Sequence, residues 1–306
     1  KCQYTFPDPR WPVEKCQYTK SVRAAQLVRE GAGRLRAAGM EHARYEAEWL
    51  LGRLVETAPL EVYLQDSPVP GQVVGRFRSQ IDARACGIPL QYLIGEADFF
   101  GQPFTVMPGV FIPRPETETL VERVLEPLRV LQQRRGRPLR LLDVGTGSGC
   151  IAVTLARELP ACAVVGVELS WDALHAAQQN IRRHRLASRV HLVQGRWIEP
   201  VSGTFDGILS NPPYVPSAHV DYLPLDVRQE PRESLDGGEN GMRDLFQVMV
   251  QAPRVLAPGG VLALECGEDQ VETLVQTARR TAWVGTVDPL HDLAARPRGV
   301  VITRAL

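Results

Sequence analysis

The chain holds 306 residues and 33.9 kDa, enough to bury a sizeable core and divide into two domains. Lysine plus arginine and aspartate plus glutamate balance at 35 each, which excludes the global basic field that marks direct nucleic-acid binding. No apolar run approaches the roughly 18 residues that span a bilayer, and the six cysteines lack metal-ligand spacing. The expectation is a cytoplasmic protein with free thiols, no bound metal and no membrane contact.

Residues 1–19 are rich in proline, aromatic and polar side chains. The pentapeptide Lys-Cys-Gln-Tyr-Thr occurs at residues 1–5 and again at 15–19, and reads as a gene-model oddity rather than a functional repeat. The first residue is not an initiator methionine, and no signal-peptide pattern is visible. From about residue 21 to 85, apolar side chains recur at helical spacing: Ala25, Val28, Leu35; Ala47, Leu50, Leu51, Leu54; Val73, Phe77, Ile81. They predict a domain of four or five helices within residues 20–95. Ile112-Pro113-Arg114-Pro115 is extended and rigid, because each proline pushes its predecessor out of the helical region. Thr117, Glu118, Leu120, Val121, Val124 and Leu125 then begin a helix. The cluster Arg129, Arg134, Arg135, Arg137 and Arg140 reads as a solvated loop between helix and strand.

Beyond it, strands alternate with helices, which calls for a mostly parallel sheet. The predicted strands are 139–144, 163–168, 190–194, 205–210, 261–266 and 299–304, with a seventh near 282–288. Predicted helices include 150–159, 171–184 and 242–255, and Pro258-Gly259-Gly260 reads as a turn before the fifth strand. After the first of these strands comes Asp143-Val144-Gly145-Thr146-Gly147-Ser148-Gly149. Its glycines permit positive φ and let the backbone pass close to a ligand, and the helix start adds unpaired N–H groups. Glu168, at the end of the next strand, suits hydrogen bonds from ribose hydroxyls. A nicotinamide or flavin enzyme shares these features.

Asn211-Pro212-Pro213-Tyr214 separates the alternatives. It follows the fourth strand, at the carboxyl edge where open α/β sheets bind ligands. The two prolines fix φ and remove two N–H donors, leaving carbonyls that only accept. An amide or amine NH₂ needs acceptors, and the Asn211 side-chain oxygen and Pro212 carbonyl supply them. The Tyr214 ring suits packing on a planar group. With the glycine turn, this pattern points to methyl transfer from S-adenosyl-L-methionine to nitrogen. Glu265 reads as a buried acid at the end of a strand, functional or capping.

The chain resembles the HemK/PrmC family of protein-(glutamine-N5) methyltransferases, from about Ala24 to Leu306. Beyond the two motifs above, the resemblance rests on Gly87-Ile88-Pro89-Leu90-Gln91-Tyr92-Leu93-Ile94-Gly95, on Phe99-Phe100-Gly101, on the segment from Val110 to Glu118, and on Leu235-Asp236-Gly237-Gly238-Glu239-Asn240-Gly241. It implies a Rossmann-like, seven-stranded class I S-adenosylmethionine-dependent methyltransferase domain over 116–306. A helical substrate-binding domain over 20–95 and a hairpin linker over 96–115 would precede it. The implied reaction is methylation of the glutamine in the Gly-Gly-Gln motif of peptide chain release factors, by a monomer. The implied cofactor contacts are Gly145, Thr146, Gly147, Ser148, Gly149, Glu168, Trp197 and Asn211. The implied substrate contacts are Asn211, Pro212, Pro213 and Tyr214, with Asn211, Pro212 and Tyr214 catalytic. Residues 112–115 would cover the cofactor site.

Two positions depart from the family. Arg196 stands where an acid usually faces the adenine amine, and cannot accept its hydrogen bond; a backbone carbonyl would have to substitute. Ala295 stands where glycine is common, which bears on a turn. The Asn-Pro-Pro-Tyr pattern also serves a ribosomal-protein glutamine or adenine N6, and a module that binds the cofactor without transfer is a further alternative.

Overall fold

The computed structural model describes residues 22–64, 68–292 and 294–306; the repeat at the N-terminus, with Cys2 and Cys16, lies outside them. The chain forms two compact units. The first contains α1 (Ala24–Ala37), α2 (Ala43–Val55), α3 (Gly71–Ala85) and α4 (Leu90–Ile94), with a 3₁₀ turn at Pro59–Leu64. Leu27, Val28 and Leu35 of α1 meet Leu50 and Leu51 of α2 and Val74, Phe77 and Ile81 of α3 in one buried cluster. Helical spacing picked most of these inward residues, but Leu27 and Val74 are buried where Ala25 and Val73 were expected and are only half-buried. The unit also takes in Pro224–Gln229, which nothing in the sequence announced. Within it, buried Arg84 forms a two-pronged pair with Glu46 at 2.7 and 3.1 Å and reaches Asp226 at 3.3 Å.

The second unit opens with a hairpin of β1 (Glu96–Phe99) and β2 (Gln102–Thr105). Phe100 and Gly101 both adopt positive φ, 54° and 65°, as a tight two-residue hairpin turn requires. Then come α5 (Pro115–Arg135), β3 (Leu139–Val144), α6 (Cys150–Glu158), β4 (Cys162–Glu168), α7 (Trp171–Arg183), β5 (Val190–Gln194), β6 (Phe205–Ser210), α8 (Arg243–Gln251), β7 (Leu256–Glu265), α9 (Val271–Arg279), β8 (Val284–His291) and β9 (Pro297–Arg304). The seven-stranded sheet has the order β5-β4-β3-β6-β7-β9-β8. Its first five strands pair in parallel, and β9 runs antiparallel between β7 and β8. Alternate residues of a strand face opposite sides: Leu141 and Leu209 join the core with α5 and α6, whereas Leu142 and Ile208 join the core with α8 and α9.

Three expectations need correction. Pro258-Gly259-Gly260 is no separate turn but lies inside β7, where pairing with β6 jumps from Phe205–Leu256 to Gly207–Val261. The excess residues form a bulge, with Gly259 at φ 69° absorbing the bend. The helix expected over 242–255 stops at Gln251, followed by a 3₁₀ turn at Ala252–Arg254, because Pro253 cannot continue the ladder. Arg129, Arg134 and Arg135 sit in α5 rather than a loop. Arg137 clasps buried Asp206 with two bonds of 2.8 Å. Cys150, Cys162 and Cys266 are free thiols, and no described helix is long and apolar enough to cross a membrane.

Candidate active site

Strand order brings the two sequence motifs together. β3 leads to β4 on one side, while β6 leads to β7 on the other. The crevice between β3 and β6 is thus the switch point where such sheets bind ligands. Val144 pairs with Ser210, and Ser210 Oγ donates to the Val144 carbonyl at 2.7 Å. The glycine turn that follows Val144 and the Asn211 that follows Ser210 therefore stand side by side.

The turn is held from below and from the side. Buried Asp143 accepts through Oδ2 from the Thr146 hydroxyl and from Ala152 N at 3.0 Å, tying β3 to α6. Burial pushes its carboxyl up to about 7. Gly145 and Gly147 have φ of 73° and 55°, and a Cβ on either would meet nothing within 4 Å. The turn thus presents bare backbone to open space. Glu168 accepts from Gly147 N at 2.9 Å through one oxygen, and from Leu169 N and Ser170 N at 2.8 and 2.9 Å through the other. Its carboxylate buttresses the turn, and about one of its roughly four acceptor positions remains for a ligand.

These residues line a cavity of about 500 Å³, within the size range of small-molecule and cofactor sites. Gly145, Thr146, Gly147, Ser148, Glu168, Trp197, Asn211 and Pro213 all line it, as do Arg196, Phe111 and Pro113. Trp197 adopts φ 52°, a left-handed conformation uncommon for a bulky residue. The strap over 111–114 is anchored by buried Glu230, which accepts from Ile112 N at 3.0 Å and pairs with Arg114. Gly149, Pro212 and Tyr214 stand outside the lining. Pro212 is buried. Tyr214 turns its hydroxyl to Glu265 at 3.3 Å, and burial foremost, with the Glu265 charge next, pushes its phenol pKa up.

Three further parts of the site were named in the sequence without a settled role in it. Thr117, in the first turn of α5, accepts from Asn211 Nδ2 at 2.9 Å and donates to Glu265 Oε2 at 2.7 Å. Glu265, which sequence left open between capping and function, is 1 % exposed; burial pushes it up to about 7. An acid ending the otherwise apolar run of β7 was the available signal. The segment 235–241, given in the sequence only as a point of resemblance, pairs with the chain just after Tyr214. Val215 N donates to Leu235 O and Gly237 N to Val215 O, each at 2.9 Å, and a Cβ on Gly241 would meet the Tyr214 carbonyl oxygen at 2.1 Å.

The parallel sheet with its one reversed strand, β9, the bare glycine turn and the adjoining Asn-Pro-Pro-Tyr loop define a class I methyltransferase. The catalytic domain of hMettl16 in complex with the MAT2A 3'UTR hairpin 6 shares this fold, with a TM-score of 0.51 and 14% identity over 74% of this chain and 81% of that one. A family model for the PrmC N-terminal domain matches residues 26–95, and one for the methyltransferase small domain matches 118–225. The release factor glutamine methyltransferase of Moorella thermoacetica is 42% identical over 275 residues, covering 89% of this chain and 95% of that protein. That of Geobacter sulfurreducens is 42% identical over 255 residues, covering 82% and 86%. The chain belongs to the release factor glutamine methyltransferase family. It is a protein-glutamine methyltransferase.

Proposed function

We propose that the chain transfers a methyl group from S-adenosyl-L-methionine to the side-chain amide nitrogen of the glutamine in the Gly-Gly-Gln motif of peptide chain release factors. The observation that carries this reading is the Asn211 amide. Its Nδ2 donates to Thr117, which leaves Oδ1 as the acceptor end, next to the glycine turn.

The cavity suits the cofactor: bare backbone at Gly145 and Gly147, a carboxylate at Glu168 and an aromatic face at Trp197. These residues would hold its ribose and adenine. When bound, S-adenosyl-L-methionine supplies a methyl group activated by the sulfonium. The protein's own contribution is positioning and electrostatics. Asn211 Oδ1 holds the glutamine NH₂; the Pro212 carbonyl, expected beside it, belongs to a buried residue outside the cavity lining. Amide nitrogen is a poor nucleophile because its lone pair is conjugated with the carbonyl. Acceptors on its N–H groups raise electron density at nitrogen as the new bond forms, an interaction strongest in the transition state. The helical unit of α1–α4 helps to hold the protein substrate, and the enzyme works as a monomer in the cytoplasm.

The test is transfer of labelled methyl from S-adenosyl-L-methionine to a purified release factor, beside its Gly-Gly-Ala variant. Label on the wild-type factor alone supports the reading. Equal label on both moves the target to another residue. No label from an enzyme that binds the cofactor rejects release factors and directs the search to ribosomal proteins and nucleic acid.

A further inference from the structure

Asn211 and Glu265 are brought together by register. Ser210 of β6 pairs with Leu264 of β7, so the next residue of each strand lies at the same edge of the sheet. Thr117 enters from α5, whose start is fixed by the rigid Pro113-Arg114-Pro115 segment and by Thr117 N donating to Arg114 O at 3.1 Å. The four side chains form one chain of hydrogen bonds. Tyr214 donates to Glu265 Oε1, Thr117 donates to Glu265 Oε2, and Asn211 Nδ2 donates to Thr117 Oγ1.

Above about pH 7, where the buried Glu265 is ionised, the direction of every proton in this chain follows from its carboxylate. An ionised carboxylate only accepts, and a threonine hydroxyl has a single proton. With that proton committed to Glu265, Thr117 Oγ1 has only acceptor capacity left for Asn211. An asparagine amide has one donor end and one acceptor end, so only its NH₂ can face Thr117. We propose that Glu265 and Thr117 are positioning residues that fix the orientation of the Asn211 amide, and thereby make the site accept an NH₂ group rather than a carboxylate. The inference rests on the assignment of Asn211 as the acceptor for the glutamine amide.

Glu265→Gln shows why charge rather than shape matters. The glutamine side chain brings its own NH₂ donor into the cluster, which competes with Asn211 for Thr117 Oγ1. The Thr117 proton is then released toward Asn211 Oδ1, and the amide turns round. Its oxygen is withdrawn and an NH₂ donor faces the ligand, a surface that suits glutamate better than glutamine. Thr117→Val removes the relay while keeping the side-chain shape, so the amide loses its fixed orientation.

The experiment, run at about pH 8 where Glu265 is ionised, measures single-turnover methyl transfer to a release factor, cofactor affinity by calorimetry, and inhibition by a release factor carrying Gly-Gly-Glu. The wild-type enzyme must first label the glutamine; failure there rejects the proposed function itself. Given that activity, Glu265→Gln and Thr117→Val are expected to slow transfer ~10- to 100-fold, the scale of a misplaced reacting group, with cofactor affinity within about threefold of wild type. Thr117→Ser, which keeps the hydroxyl, recovers most of the rate. The Gly-Gly-Glu factor inhibits both slow variants more tightly than wild type. In an Asn211→Ala background, Glu265→Gln and Thr117→Val cost little further, because the group they orient is gone. Wild-type rates in both variants would overturn the proposal. So would their full slowing repeated on top of Asn211→Ala, or unchanged preference for the Gly-Gly-Glu inhibitor.

Discussion

Gly241→Ala tests whether the segment after the Asn-Pro-Pro-Tyr loop is part of the catalytic apparatus. The substitution has two costs. Gly241 has φ 73°, and an L-residue in that region costs about 1–2 kcal/mol. The added Cβ would also lie 2.1 Å from the Tyr214 carbonyl oxygen, against the 3.0 Å below which real Cβ atoms are essentially never found. The loop must therefore retreat by about 1 Å, the scale of misplacement that costs ~100-fold in rate. Retreat also disturbs the bond from Gln270 Nε2 to the Tyr214 carbonyl, now 2.8 Å. Gly136→Ala is the matched control. It sits at φ 61° with nothing within 4 Å of its Cβ, so it carries strain without a clash. Single-turnover transfer, with cofactor affinity by calorimetry and melting by scanning calorimetry, separates the two. Both variants should melt lower, by roughly 2–4 °C per kcal/mol. Only Gly241→Ala should lose transfer, ~100-fold, while still binding the cofactor. Equal rates in the two variants would refute the reasoning.

Asn211→Ala should lower turnover far more than cofactor affinity; equal losses in single-turnover and binding assays would remove Asn211 from its assigned role. Glu265 offers a pH test of stability. Burial, with the Glu116 charge adding, pushes it from 4.5 to about 7, against the Thr117 and Tyr214 hydrogen bonds and the Arg298 charge. A carboxyl raised on folding contributes its stability in full below its unfolded value, and loses it as pH rises through about 7. Relative to Glu265→Gln, the wild type should thus lose about 3 kcal/mol between about pH 4 and pH 8. Urea unfolding across that range checks it, and a constant difference would contradict the burial argument. Ala295→Gly should stabilise the hairpin between β8 and β9. Ala295 holds φ 60° in a turn where Asp292 Oδ1 accepts from Ala294 N and Arg296 N, each at 2.9 Å. Relief of that strain, less the extra freedom of the unfolded chain, is worth up to about 1 kcal/mol, and a lower melting temperature would show the turn to be unstrained.

The sequence by itself determined the local conformations and the chemistry they present. The bounds of β3, β5 and β6 followed from apolar runs ended by turn residues. The glycines that permit positive φ and the proline pair that leaves only acceptors are properties of residue types, visible without any neighbour. Tertiary structure alone decided which distant groups meet. Thr117, Asn211 and Glu265 belong to a helix start and two strand ends, and only the order and register of β6 and β7 join them into one proton-directed chain. Side-chain partners were equally out of reach: the sequence suited the Tyr214 ring to a planar group but could not show that its hydroxyl bonds Glu265. So was the bulge in β7, since Pro258-Gly259-Gly260 satisfies a turn locally and becomes strand only because β6 pairs on both sides of it. Local physics reads bonds within a few residues; hydrogen bonds between residues far apart in the chain exist only once burial has fixed which surfaces face each other.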